Sequence, residues 1–395
     1  MRLSTAQMYD SGTNGLLRNQ YDLYRIQNQM STGRRVVTPE DDPVAAAQAL
    51  ATEQKLHVNT QFLDNQGNAA AQLKELESQM GAVGSLLIDV KARWVEAGNG
   101  AYTEKQLKDL AVDIRAQFEK LLSIANNADA HGQYRFAGFQ SGTQPFVNVN
   151  GVVSYQGDSG ERLIQVETSR FLAVNYSGRA FFEAVPEGNG AFVTGAAPGN
   201  TGVIRNGSLA NSNAYDGHSY SLTFTTPTSY DLTDTYNGST TMTTGIVYTP
   251  GSAITLGGAQ VDFTIPPGMG DVYTIEPSRE ESMFTTLRKF AEILGNGMPN
   301  SPDFLNTMQR VGASIDQAIQ HVSDNRAVVG TRMAELESLT FLDSDLAVQY
   351  EEQISTLVDL DYNAAISDLS KNQLQLQAAM QSFLKVTGLS LFNYI

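Results

Sequence analysis

The sequence predicts an α+β protein: a long helical, coiled-coil-like bundle formed by its N- and C-terminal segments, with an inserted all-β outer domain. Three observations carry this. Leu16, Asn19, Leu23, Ile26 and Met30 near the start are spaced alternately three and four apart, the narrow apolar stripe of a coiled coil. Tyr362, Ile366, Leu369, Gln373, Leu376, Met380 and Phe383 repeat that spacing near the end. Between them lie short β-branched runs bounded by Gly, and the stretch from Glu187 to Gly270 is rich in Gly, Thr, Ser and Asn.

The elements follow in chain order. The first helix ends at Ser31-Thr32-Gly33. In VVTPEDDPVAAAQALA, Asp42 is suited to cap the next helix, with Pro43 at the first helical position, where a missing N–H costs nothing. That helix is expected to run from Pro43 to about Glu96 and to end at the Gly-Asn-Gly of 98–100. Thr103 and Gln106 form a capping box for a helix from Glu104 to about Asn126. Val152–Tyr155 and Leu163–Val166 read as strands, with Gly157-Asp158-Ser159-Gly160 as the hairpin turn between them. YSLTFTT and AQVDFTIPP read as strands of a separate β domain, bracketed by Val185 and Ile275. Ser278 and Glu281 suggest a capping box for a helix over 279–294. Ser301 and Pro302 open a helical region that continues almost to the end, with Gly388 as a stop.

Composition narrows function. The formal net charge is -16, which opposes nucleic-acid binding, since phosphate recognition needs clustered Lys and Arg. It equally opposes docking on an anionic membrane surface. There is no Cys, so thiol catalysis, disulfides and Cys-ligated metals are excluded. His57, His131, His218 and His321 are far apart and show no metal-ligand spacing. No cofactor is expected. No apolar run is long enough for a membrane span, and MRLSTAQMYD lacks the apolar core of a signal peptide. The expectation is a cytoplasmic chain, or one exported without a cleavable signal.

The catalytic patterns fail on their own chemistry. Gly157-Asp158-Ser159-Gly160 matches the sequence around a serine-protease nucleophile, but Glu161 and Arg162 follow it and no matching His context precedes it. There is no GxxxxGK[ST] loop and no GxGxxG opening a helix. Asp41-Asp42 and Glu351-Glu352 suit a helix cap and a solvated helix face better than acid–base work. Asn175-Tyr176-Ser177, Asn206-Gly207-Ser208 and Asn237-Gly238-Ser239 match a glycosylation pattern but read as loop chemistry.

Three segments and the two ends point to a family. STGRRVVTPEDDPVAAAQAL resembles the N-terminal signature of the flagellins and the flagellar junction proteins related to them, and Asn325 to Arg332 (NRAVVGTR) resembles their second signature. MRLSTAQMYD, YRFAGFQSGTQPF and GLSLFNYI are similar to the junction proteins more than to filament flagellin. The resemblance implies a non-enzymatic structural subunit of the bacterial flagellum, exported unfolded and extracellular. It implies self-association in a ring-like layer, contacts with another hook-associated protein and with flagellin, and help from an export chaperone. It divides the chain into a terminal helical assembly domain (1–42 and 345–395), a helical rod with β-hairpins (43–182 and 278–344) and an outer β-rich domain (183–277). Filament flagellin itself, or a surface-displayed binding protein carrying the β domain, are the alternatives.

The expected assembly interface is Leu16, Leu23, Ile26, Met30, Tyr362, Ile366, Leu369, Leu376, Met380, Phe383, Leu391, Phe392, Tyr394 and Ile395. The last seven residues, LSLFNYI, contain five large apolar or aromatic ones. Burying those five gains about 10 kcal/mol. Ordering the segment costs about 7–14 kcal/mol, so a lone chain roughly breaks even and neighbours would tip the balance. After Asp368 the only charged side chains are Lys371 and Lys385, too few for a solvated surface helix.

Overall fold

The local signals above build six α-helices in the computed structural model, which describes residues 5–129, 131–210 and 215–391. They are α1 (Thr5–Thr32), α2 (Pro43–Ala97), α3 (Glu104–Ala125), α4 (Met283–Asn296), α5 (Pro302–Val358) and α6 (Tyr362–Leu391). Gly33 stops α1 because it takes a left-handed φ of 72°, which a side chain would resist. Asp42 Oδ1 accepts from the Ala45 N–H at 3.0 Å and caps α2. The Thr103–Gln106 capping box is complete.

Three boundaries differ from the sequence reading. The cap of α4 is Ser282, not Ser278, because Glu280–Glu281 pair as a strand and Ser278 donates to the Glu187 carbonyl instead. The last helical region breaks at 359–361, where Asp361 accepts from the N–H groups of Asn363 and Ala364 and starts a new helix. Gly388 does not stop α6, which runs on to Leu391.

The chain forms two compact units, Met1–Gln66 with Ser338–Ile395, and Gly67–Glu337. In the second unit, α2 presents Leu73, Leu76, Met80, Val83, Leu87 and Val90 to a fully buried core. Trp94 donates Nε1–H to the Met308 carbonyl at 2.7 Å, joining α2 to α5. Strands β1 (Phe146–Val149) and β2 (Val152–Tyr155) pair antiparallel, as do β3 (Leu163–Glu167) and β4 (Arg170–Ala173). So Gly157–Gly160 is not a turn between paired strands; it links two separate hairpins. Asp158 organises the link by accepting from Phe139 N–H at 2.8 Å and Gly160 N–H at 2.7 Å. A short π-helical turn, Arg179–Glu183, buries Phe181 and Phe182 against Phe136, Phe146 and Phe284.

The β domain continues with β5 (Val185–Pro186), β6 (Phe192–Ala196), β7 (Val203–Ile204), β8 (Ser208–Leu209), β9 (Ser219–Thr226), β10 (Ser229–Tyr236) and β11 (Ser239–Val247). After them come β12 (Ile254–Leu256), β13 (Ala259–Val261), β14 (Phe263–Ile265), β15 (Val272–Pro277) and β16 (Glu280–Glu281). The main sheet has the order β11-β10-β9-β15-β6, with neighbours antiparallel. Alternation in SYSLTFTT puts Tyr220, Leu222 and Phe224 on the buried face. β5 pairs with β16, so the chain enters and leaves the domain at Pro186 and Glu280. Ile275 is a wrong place to cut, because it is fully buried in the middle of β15.

Asp271 pins this domain. Its carboxylate accepts from the N–H groups of Thr201 and Gly202 and of Gly268, each at 2.9 Å, and from the Tyr273 hydroxyl at 3.0 Å. Burial pushes its pKa up, but those donors outweigh burial and hold it below the ordinary carboxylate range. A depressed folded pKa gives stability that is present above the unfolded value of about 4 and is lost as the pH falls through the folded value. Asp271→Ala should therefore destabilise the β domain by about 3 kcal/mol at pH 7, by orphaning several buried donors. Asp271→Asn should flatten the loss of stability below about pH 4. Chemical denaturation at a series of pH values measures both.

Candidate assembly surface

In the first unit the face-to-face positions of α2 are small or polar: Ala45, Ala49, Thr52, Asn59 and Gln66 are all buried. Asn59 donates to the Asp343 carbonyl and Gln66 to the Asp343 carboxylate, both at 2.6 Å. Such a seam buries little apolar area. Across this seam the hydrogen bonds join chain segments more than 270 residues apart.

The signature after α1 builds a knot. Arg35 N–H donates to Val358 O at 2.7 Å and its guanidinium to Leu357 O at 2.6 Å, while Leu360 N–H donates to Gly33 O at 3.0 Å. Arg34 bridges antiparallel to Asp359. Arg35 also pairs with Asp42 at 3.0 Å. The N–H of Ala45 and then Arg35 hold Asp42 below the usual carboxylate range. Asp41 is pushed up by burial but accepts from the N–H groups of Thr38 and Val37, which bring it below that range. Val36, Ala45, Ala49 and Val358 close the knot as a small apolar cluster.

Beyond the knot, α1 and α6 lie antiparallel. The Tyr362 hydroxyl reaches Met30 O at 3.3 Å at one end. At the other, the Phe383 ring lies 5.2 Å from the Tyr9 ring and occupies the space beside Gly12, where a Cβ would meet it at 2.8 Å. Leu16, Leu23, Ile26 and Met30 turn toward the pair, Ile26 most deeply. On α6 the covered line is Ala365, Leu369, Asn372, Leu376, Ala379 and Phe383, shifted around the helix from the line read off the sequence. Leu369, Leu376 and Phe383 belong to both lines, whereas Tyr362, Ile366 and Met380 are exposed. Leu391 ends α6; Phe392, Tyr394 and Ile395 lie outside the described residues.

The exposed faces remain apolar. Leu17, Tyr21 and Tyr24 form one line on α1, and Ile366, Met380 and Leu384 another on α6. Net charge is nearly absent: α1 carries Asp10, Arg18, Asp22 and Arg25, and α6 only Asp368, Lys371 and Lys385, in a chain of net -16. A near-neutral pair with apolar lines on its open faces is suited to burial by other chains. Gly12 beside Phe383 and the Asp361 cap were missed from sequence; the Asp-Leu-Asp before Tyr362 was the available signal for the cap. Among the described residues no group of three or more His, Asp or Glu is placed to hold a metal ion, and no helix is long and apolar enough to cross a membrane.

Comparison with known proteins agrees with this arrangement. The bacterial flagellin N-terminal helical region matches residues 3–141, and the bacterial flagellin C-terminal helical region matches residues 313–395. The flagellar hook-associated protein 3 of Escherichia coli is 28% identical over 393 residues, covering 100% of this chain and 99% of that one. The crystal structure of flagellar hook-associated protein 3 from Legionella pneumophila superposes with a TM-score of 0.71 at 27% identity, over 78% of this chain and 98% of that one. FlgL from Xanthomonas campestris superposes with a TM-score of 0.69 at 26% identity, over 77% and 99%. The two flagellin regions together span more than half of the sequence, and the chain belongs to the flagellin-like family, among its flagellar hook-associated proteins.

Proposed function

We propose that this chain is a structural, non-enzymatic subunit of the bacterial flagellum that joins the hook to the flagellin filament by polymerising through its terminal helices. The observation that carries the reading is the near-neutral α1–α6 pair with apolar lines on its open faces. The end-to-end similarity to hook-associated protein 3 favours a junction subunit over filament flagellin. On this reading Leu16, Leu23, Ile26, Met30, Leu369, Leu376 and Phe383 hold the pair together. Tyr362, Ile366 and Met380 meet neighbouring copies, and Leu391, Phe392, Tyr394 and Ile395 add a terminal contact. The functional division is the terminal pair (1–42 with 345–395), the rod and the inserted β domain. Its partners are copies of itself in a ring-like layer, a second hook-associated protein, flagellin and an export chaperone. It works outside the cell, exported without a cleavable signal.

The test is made in cells. Removing the chain should leave hooks without filaments and flagellin free in the medium. Immunogold labelling of the restored strain should mark one narrow band at the filament base. Label along the whole filament would overturn the junction reading in favour of flagellin. Excising the β domain by a short Gly/Ser link from Pro186 to Glu280 should keep filament attachment, since those residues are strand partners. Bare hooks from a truncated chain that is exported and folded would make that domain part of the junction.

A further inference from the structure

We propose that the β domain is a latched arm, a self-contained module held on α4 and α5 by a polar seam that opens while the module stays folded. Its core stands alone. Among the described residues, every buried member of that cluster lies between Phe192 and Ile275, and the part-buried side chains against it come from 191–256. Neither α4 nor α5 contributes. An apolar core shared with the helices would bind the module's stability to theirs; this one does not.

What joins the module to the helices is of another kind. Asp303, Asn306 and Arg310 lie three and four apart on one stripe of α5. Asp303 accepts from Gly199 N–H at 3.0 Å. Asn306 behaves like a neighbouring strand: its Oδ1 accepts from Ile204 N–H at 2.9 Å and its Nδ2 donates to Gly202 O at 3.1 Å. Asn206 donates to the Gln309 carbonyl at 2.6 Å. At the base, Arg310 Nε donates to Glu187 at 3.0 Å, with Lys289 3.7 Å from the same carboxylate. Each of these bonds can be exchanged for one with water at small net change. The seam is also incompletely packed, with a half-open cleft of about 180 Å³ between Thr194–Ala196 and Ile204 of the module and Lys289, Arg310 and Val311 of the helices. Unfilled space forfeits dispersion contacts that would resist opening. The straps are short: β5 and β16 fix the chain at Pro186 and Glu280 and leave the module to pivot about them.

In an assembled layer such an arm adjusts to its neighbours without distorting the helices. That use rests on the assembly reading; the opening is a property of one chain and is tested on one chain.

Amide hydrogen exchange in the full-length monomer, read residue by residue by NMR, separates the two states. The amides of Gly199 and Ile204 are bonded to α5, whereas those of Thr201 and Gly202, beside them in sequence, are bonded to Asp271 inside the module. Opening exposes the first pair and spares the second. Gly199 and Ile204 should exchange at least about tenfold faster than Thr201, Gly202 and Phe224. Combining Asn306→Ala with Arg310→Ala should accelerate Gly199 about tenfold more, although its own acceptor, Asp303, is untouched, and leave Thr201, Gly202 and Phe224 unchanged. Equal exchange of all five amides in the unaltered chain would overturn the latch. So would a variant in which Phe224 accelerates together with Gly199, since seam and module would then unfold as one.

Discussion

A chain carrying Ile366→Asp and Met380→Asp is expected to fold, to leave the cell and to build no filament. Both side chains sit on the open face of α6 and are exposed in the single chain. Surface substitutions of this kind change monomer stability by about 0.5 kcal/mol or less. In a layer, the same positions meet a neighbour, and each buried carboxylate without a partner costs more than the roughly 2–7 kcal/mol of an unpaired neutral polar group. A ring repeats the contact at every subunit, so the loss is multiplied where assembly happens and absent where it does not. Leu376→Asp is the contrasting variant. Leu376 lies on the covered line between α6 and α1, so this change should loosen the pair itself. Electron microscopy of the cells, flagellin in the medium and the melting temperature of the purified chain decide the matter. Normal filaments from the double variant would remove the open face from the assembly surface. A monomer that melts much earlier would assign that face to the chain's own core.

Gly312→Ala should strongly destabilise the second unit. A Cβ at Gly312 of α5 would lie 2.4 Å from Cζ2 and 2.5 Å from Cε2 of Trp94 on α2. The indole has little room to retreat, because Nε1–H is bonded to Met308 O at 2.7 Å and Lys91 Nζ stands 3.9 Å from the ring centroid. Either the helices separate or the indole gives up both contacts. Overpacking of this severity costs about 3 kcal/mol. In a unit of this size that lowers the melting temperature by about 6–12 °C. Trp94 is the chain's single Trp, so its fluorescence reports the displacement directly. Gly330→Ala on the same helix meets nothing within 4 Å and should be neutral or slightly stabilising. A melting temperature unchanged by Gly312→Ala would mean that the two helices are not held at this spacing.

The features legible in the sequence are those decided within a few residues. Gly33 ends α1 through its own left-handed φ, and Asp42 starts α2 and Thr103 with Gln106 starts α3 through bonds between a side chain and a backbone group one turn away. The α1 stripe was legible for a related reason: periodicity marks the apolar face whatever partner covers it. Only the tertiary structure decided the rest. The stripe on α6 was located one step off, because several apolar lines run along that helix and α1 selects Ala365, Leu369, Asn372, Leu376, Ala379 and Phe383. The break at 359–361 depends on Gly33 and Arg35, more than 320 residues earlier in the chain. The strands beside Gly157–Gly160 were found but mispaired, since the choice between β2–β3 and β1–β2 with β3–β4 rests on distant packing rather than on turn residues. The stripe of Asp303, Asn306 and Arg310 looks like any solvated helix face until the backbone of Gly199, Gly202 and Ile204 is brought against it. A polar side chain carries no mark of whether water or another chain segment will satisfy it, and that choice is made only when the segments meet.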